Sequence, residues 1–132
     1  MNYLASPYTG TQHEMRKRYG LALRATASLI AEKIWTYSPI VHCHEMAVLY
    51  NMPRDIDFWR EYDTDTVHTC RELYVLQIPG WQESAGVAYE MRLAEKYNKP
   101  IRYLERHKNK LLICNAPAHE HGGIIRAVSL IS

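Results

Sequence analysis

Leu73-Tyr74-Val75-Leu76-Gln77-Ile78-Pro79-Gly80-Trp81-Gln82-Glu83-Ser84-Ala85-Gly86-Val87 is the stretch that decides how this chain is read. It opens with a near-continuous apolar run, the pattern of a strand covered on both faces, and Pro79 cannot extend the hydrogen-bond ladder beyond it. Ser84 then stands where a helix N-cap belongs, with Val87, Met91 and Ala94 recurring behind it at helical spacing. Strand, proline turn, cap and helix follow one another within a short span.

Working outward, two more runs meet proline in the same way: Tyr3-Leu4-Ala5-Ser6 before Pro7, and Trp35-Thr36-Tyr37-Ser38 before Pro39. Ile101-Arg102-Tyr103-Leu104 follows Pro100, and Leu111-Leu112-Ile113-Cys114 makes a fifth run. Met15, Tyr19, Ala22, Leu29 or Ile30, and Ile34 mark an amphipathic helix between the first two runs. Ile56, Trp59, Val67 and Cys70 mark another before the third, with Asp55 as its cap. Strands alternating with helices predict right-handed crossovers and an α/β, three-layer sandwich with a mostly parallel, five-stranded sheet of the flavodoxin or Rossmann type. In the segment from Arg106 to Ser132, His119-Glu120-His121-Gly122-Gly123 reads as a turn, and Ile124 to Ile131 is open between strand and helix.

Composition narrows the function classes. The 132 residues suit one domain, and Lys+Arg 16 against Asp+Glu 14 gives a net charge of +2, too balanced for a surface that coats a polyanion. Polymeric nucleic acid is therefore not an expected partner. No apolar run approaches the roughly 20 residues of a membrane span, so no membrane is expected either. Cys43, Cys70 and Cys114 are odd in number and widely spaced, and the start shows no secretory pattern, so a reducing cytoplasm is expected. No GxGxxG follows the first strand and no Walker A lysine motif occurs, which removes dinucleotide redox chemistry and P-loop hydrolysis.

Ligands of an open parallel sheet bind beyond the carboxyl ends of its strands. The candidates there are Ser6-Pro7-Tyr8, Ser38-Pro39-Ile40 with His42 and His44, and Pro79 to Ser84. Ser84-Ala85-Gly86 at a helix start offers N–H groups and a hydroxyl to an anion, although the same residues serve as an ordinary cap. Glu90 stands three after Val87 and four before Ala94, on the stripe that should face the sheet, and Asp63 repeats the anomaly between Trp59 and Val67. Inward carboxylates cost several kcal/mol unless paired or neutralised. Arg16, Arg71 or Arg92 could pair with them; alternatively, two carboxyls with separated pKa values suit glycosyl transfer, where an oxocarbenium-like centre needs an anion and the leaving group needs a proton. His42-Cys43-His44-Glu45 and His119-Glu120-His121 supply metal-ligand types, with His42 and His44 sharing a face on a strand or extended loop, but neither cluster has a paired CxxC or HExxH spacing. No metal is expected. Cys43 as a nucleophile is equally weak, since adjacency to histidine does not set Cys/His geometry.

Taken in order, these blocks resemble the nucleoside 2-deoxyribosyltransferase-like family, in particular a small branch found in bacteria and phages. The resemblance runs from Tyr3 to about Leu104 and rests on Tyr3-Leu4-Ala5-Ser6-Pro7-Tyr8, Ser38-Pro39-Ile40, Asp57-Phe58-Trp59 with Tyr62-Asp63, and Leu76 to Val87 running into Tyr89-Glu90. It implies that Glu90 is a nucleophile attacking C1′ of a 2′-deoxyribosyl group, with Asp63 protonating the base or orienting the site and Tyr3 beside the nucleophile. It implies further that Ser84 holds a 5′-phosphate, with Ser6, Pro7, Tyr8, Ser38, Trp81 and Gly86 around the substrate. No cofactor is implied. The expected partner is a small nucleoside or nucleotide, the expected assembly a homo-oligomer, and Ser84 favours a nucleotide hydrolase over a base-exchanging transferase. Residues 105–132 do not match the asparagine-containing C-terminal segment of the transferases. Trp81, Tyr3, Tyr8 and Tyr89 are candidates for stacking on a base. The alternatives are a non-catalytic nucleotide or nucleotide-sugar binding protein, acting as sensor or sponge, and an oligomeric scaffold.

Overall fold

The computed structural model describes residues 1–120 and 123–132. In chain order its elements are β1 (Asn2–Ala5), α1 (Gln12–Ala31), β2 (Thr36–Tyr37), α2 (Pro39–Leu49), α3 (Ile56–Thr69), β3 (Leu73–Leu76), α4 (Ala85–Lys96), β4 (Ile101–His107), β5 (Lys110–Cys114) and β6 (Ile124–Ser129), with a short 3₁₀ turn at Ala118–Glu120. The architecture is α/β, and helices pack on both faces of one sheet ordered β2-β1-β3-β4-β5-β6.

Two expectations are corrected. The sheet has six strands, and it is mixed: β2, β1, β3 and β4 run parallel, whereas β5 and β6 join antiparallel. A parallel neighbour needs a crossover of a dozen or more residues, and only Lys108-Asn109 separate β4 from β5, so the chain can only fold back as a hairpin. Lys108 takes φ 57° to make that reversal. Ile124–Ser129, open between strand and helix, forms the edge strand β6. Within the predicted turn 119–123, His119 and Glu120 belong to the 3₁₀ turn, and His121 and Gly122 lie outside the described residues.

The second correction concerns the residues after Tyr37. Ser38 Oγ accepts from Val41 N at 3.2 Å, Pro39 takes the first helical position, and the chain enters α2 at once. His42 and His44 therefore stand two apart on a helix, about 200° around its axis, and do not share a face. The remaining helices start where expected: Asp55 accepts from Phe58 N at 3.1 Å to cap α3, and Ser84 accepts from Val87 N at 3.2 Å to cap α4. A reciprocal capping box between Thr11 and Glu14 opens α1.

Two apolar clusters lie either side of the sheet. Ala22, Ala25 and Leu29 of α1 cover Leu4, Tyr74, Leu76, Leu104 and Leu111, while Val67 of α3 and Val87, Leu93 and Ala94 of α4 cover Tyr3, Ala5, Leu73 and Val75. From β1 the chain moves one way to β2 and then the other way to β3, so the strand order reverses between β1 and β3. A crevice beyond the carboxyl ends of these two strands follows from that reversal. Leu111 is fully buried on β5 in the α1 cluster, so Leu111→Ala should cost about 2–5 kcal/mol, read as a lower urea midpoint at unchanged slope.

Candidate functional site

Beyond β1 and β3 lies a cavity of about 590 Å³, walled by α2 and α3 and closed by the start of α4. Its lining includes Asp63 and Glu90 together with Ser6, Tyr8, Ser84 and Gly86. Trp59 brings an indole to the α3 wall, and Pro39, Ile40, Cys43 and Ala47 make the α2 wall apolar. The volume falls within the ordinary range of small-molecule sites.

The two inward carboxyls meet each other. Glu90 is 5% exposed and Asp63 6%, and both reach the cavity from helices that otherwise turn apolar side chains toward the sheet. Tyr3, wholly buried on β1, donates its hydroxyl proton to Glu90 Oε2, and Asp63 stands near enough for its charge to act on both. Arg16, Arg71 and Arg92 are all exposed, and none of the ion pairs among the described residues involves Asp63 or Glu90. Among the described residues a phenol, and not a cation, is bonded to the pair. Burial and then the charge of Asp63 drive the Glu90 carboxyl well above the usual carboxylate range; burial pushes Asp63 up to about 6, against the Tyr3 and Glu90 hydrogen bonds that pull it down. Burial and the neighbouring carboxyls raise Tyr3 as well, so its phenol remains a donor.

Two cationic residues that motif reading did not single out line the same cavity. Arg18 donates from Nη1 to the Thr9 carbonyl at 2.8 Å and is set against Gly80, where a Cβ would come within 2.5 Å of an Arg18 nitrogen. Gly80 holds φ 96°, so its missing side chain serves both the turn and the arginine. Arg54 precedes the α3 cap; its Nη2 reaches the Ala47 carbonyl at 3.5 Å, and its Nε–H is buried without a partner. Ser6 Oγ is the other buried side-chain atom left without a partner among the described residues. Nearby, Tyr8 Oη and His44 Nδ1 lie 2.6 Å apart, and the Tyr19 ring stacks on His44 with centroids 4.1 Å apart. Burial and the Arg54 charge hold His44 below its ordinary range. The chemistry of Arg18 and Arg54 was visible in sequence only as two arginines among many.

The chain belongs to the DUF1937 family. The family model, described as a domain of unknown function, matches residues 1–106, which takes in every residue lining the cavity. A search of curated proteins finds none that matches.

Other expected site residues take different places. Tyr3 lies behind Glu90, out of the cavity lining, and Pro7 is fully buried without lining the cavity. Ser38 is spent on capping α2. Trp81 lines a separate depression with Lys17, Gln77 and His119, its ring 6.2 Å from Tyr103, because the turn after Pro79 carries it to the β4 side. Tyr89 bonds Thr64 at 2.7 Å and carries Arg60 over its ring, so Tyr8 alone of the four stacking candidates faces the cavity. Among the described residues no group of three or more His, Cys, Asp or Glu side chains is disposed to hold a metal ion, and no helix is long and apolar enough to cross a membrane.

The carboxyl pair gives stability a defined pH dependence. Because the folded-state pKa of Asp63 is raised, the protein binds protons more tightly than the unfolded chain, and that stabilisation is complete below the ordinary carboxylate range and lost as pH rises through about 6. Asp63→Asn should therefore stabilise by roughly 1–3 kcal/mol at pH 7.5, with the gain vanishing near pH 4, measured by thermal unfolding across that interval.

Proposed function

We propose that this protein cleaves or transfers the N-glycosidic bond of a deoxyribonucleoside or its 5′-monophosphate through a covalent Glu90 intermediate, with hydrolysis favoured over transfer. One observation supports this most: two buried carboxyls line one cavity, with a tyrosine hydroxyl bonded to one of them and no ion pair to either among the described residues. Such a pair has the two protonation states that a glycosidic displacement consumes together.

As positive charge grows at C1′, the ionised form of Glu90 is favoured and the pair's proton settles on Asp63. A Glu90 oxygen bonds C1′, the C1′–N bond breaks with its electrons leaving on the base, and Asp63 delivers its proton to that base. Water then attacks C1′ as Asp63 takes a proton from it, and the ester bond to Glu90 breaks, returning the pair to its starting state. Tyr3 orients Glu90 throughout by its donated hydrogen bond. A base in place of water would complete a transfer instead. In the same cavity, the N–H groups at the start of α4, the Ser84 hydroxyl and Arg18 over Gly80 suit a phosphate. Ser6 lines the same cavity at the end of β1, where a sugar would lie. The same resting pair, holding a proton, also suits a binding protein that performs no chemistry on a nucleotide. As an enzyme the chain is taken to be a cytoplasmic homo-oligomer, with the exposed Leu49, Tyr50 and Phe58 of α2 and α3 as surface for a second copy.

Incubation with deoxynucleosides and their monophosphates, followed by chromatography for free base, tests the proposal. Base release is expected from the native protein and its loss, by at least about a thousandfold, in Glu90→Ala; a variant as fast as the parent, or a native protein that returns every ligand intact while gaining thermal stability, rejects the enzyme. Release should require the singly protonated pair, falling on the acid side near pH 6 and again at higher pH as the last proton leaves. Ser84→Ala and Arg18→Met should each raise KM for monophosphates about tenfold while leaving nucleosides nearly unaffected, as loss of a charge-assisted contact to phosphate would do.

A further inference from the structure

The ligand proposed above has three parts, and two are already accounted for: the anomeric carbon at Glu90 and the phosphate at the α4 start with Arg18. What is left of the cavity is the space between α2 and α3, faced by Pro39, Ile40, Cys43 and Ala47 on one side and Ile56 and Trp59 on the other. Apolar walls and an indole suit the flat face of a nucleobase. Arg54 sits at this slot, between the end of α2 and the cap of α3, with a buried Nε–H that no atom of the described residues accepts. It forms no ion pair among the described residues. That Nε–H is shut off from the cavity, so a ligand meets the guanidinium at its two Nη groups, of which Nη2 has only the long 3.5 Å contact to the Ala47 carbonyl.

We propose that Arg54 is a specificity-determining residue that reads the nucleobase by donating to two adjacent acceptors on its edge, so that guanine, hypoxanthine or cytosine is bound in preference to adenine or thymine. The fork of a guanidinium matches paired acceptors such as N7 and O6 of a 6-oxopurine, and O2 with N3 of cytosine presents the same pattern. Adenine sets a donor beside each acceptor on its exposed edges, and thymine sets N3–H between its two carbonyls; both leave one arm of the fork unpaired. Beside it, burial and the Arg54 charge hold His44 below its ordinary range, which works against a second cation in this corner, while Tyr8 bonds the ring and Tyr19 stacks on it. This assignment rests on the proposed function for the seating of the sugar and phosphate, and its test separates the two.

Calorimetric titration of the Glu90→Gln protein, which cannot turn ligand over, with dGMP, dIMP, dCMP, dAMP and dTMP measures base reading apart from chemistry. The first three, or whichever of the two acceptor patterns fits the slot, should bind at least about tenfold more tightly than dAMP and dTMP, and Arg54→Met in the same background should erase the difference while the stem still packs. Equal affinities for all five, binding of none, or an Arg54→Met variant that weakens all five alike and loses the preference for monophosphate over nucleoside, would overturn the assignment; the last result would make Arg54 a phosphate ligand. Base release by the native protein is assayed alongside. Selective binding without any release leaves the base reading standing and removes the enzyme, whereas unselective release removes the base reading and leaves the enzyme.

Discussion

Two carboxyl groups held together away from water, with a phenol and, among the described residues, no ion pair to either, are the constraint around which this molecule is arranged. Glu90 and Asp63 come from different helices, and Tyr3 comes from the central strand beneath both, so the contact ties α3, α4 and β1 at one point. Nothing in the packing of an α/β sheet calls for such a pair, since Val or Leu at either position would bury apolar area and carry no desolvation cost. The cluster is held in place by the two apolar layers around it: Val67 follows Asp63 by one turn, and Val87 precedes and Ala94 follows Glu90, each packed on the sheet. An unfavourable local arrangement is here retained by a favourable surround.

The cavity over that pair is polarised. Its lining combines the two acids with Arg18 and Arg54, the α4 start and apolar walls. The nucleotide proposed above, anionic and with one flat apolar part, suits this distribution. The positions of the arginines depend on backbone rather than on acidic partners. Arg18 is tethered by the carbonyls that follow β1 and fits only because residue 80 has no side chain, while Arg54 lies against the last turn of α2. Their charges consequently remain unneutralised by the protein among the described residues, which is what a site for an anion requires.

Much of the frame is legible along the chain because it is local. Apolar runs meeting Pro7, Pro39 and Pro79 mark strand ends, Asp55 and Ser84 mark helix starts, and the placement of Glu90 and Asp63 on stripes otherwise apolar marks them as inward. Where local signals compete, the outcome is less visible. Ser38-Pro39 ends a strand and opens a helix in adjacent positions, and the second role hides behind the first, so α2 and the true facing of His42 and His44 are missed. The antiparallel turn to β5 was legible in principle from the shortness of the connection after Leu104, but an alternating pattern established earlier in the chain masks it. Ile124–Ser129 has an edge strand's weak periodicity, since only Val128 in it is buried.

What the order of residues determined unaided was periodic and near-neighbour: the class of the fold, the caps, and the inward direction of two acids, all of which follow from backbone geometry within a few turns. Whether those acids found arginines or each other was decided by tertiary structure, because Arg16, Arg71 and Arg92 share the chain with them but point into solvent. Tertiary structure likewise sent Trp81 to the far side of its turn, brought Arg18 over Gly80, and left Arg54 facing a slot between two helices. Side chains far apart in sequence meet only when sheet order and helix crossing fix the distance between them, and no local propensity carries that distance.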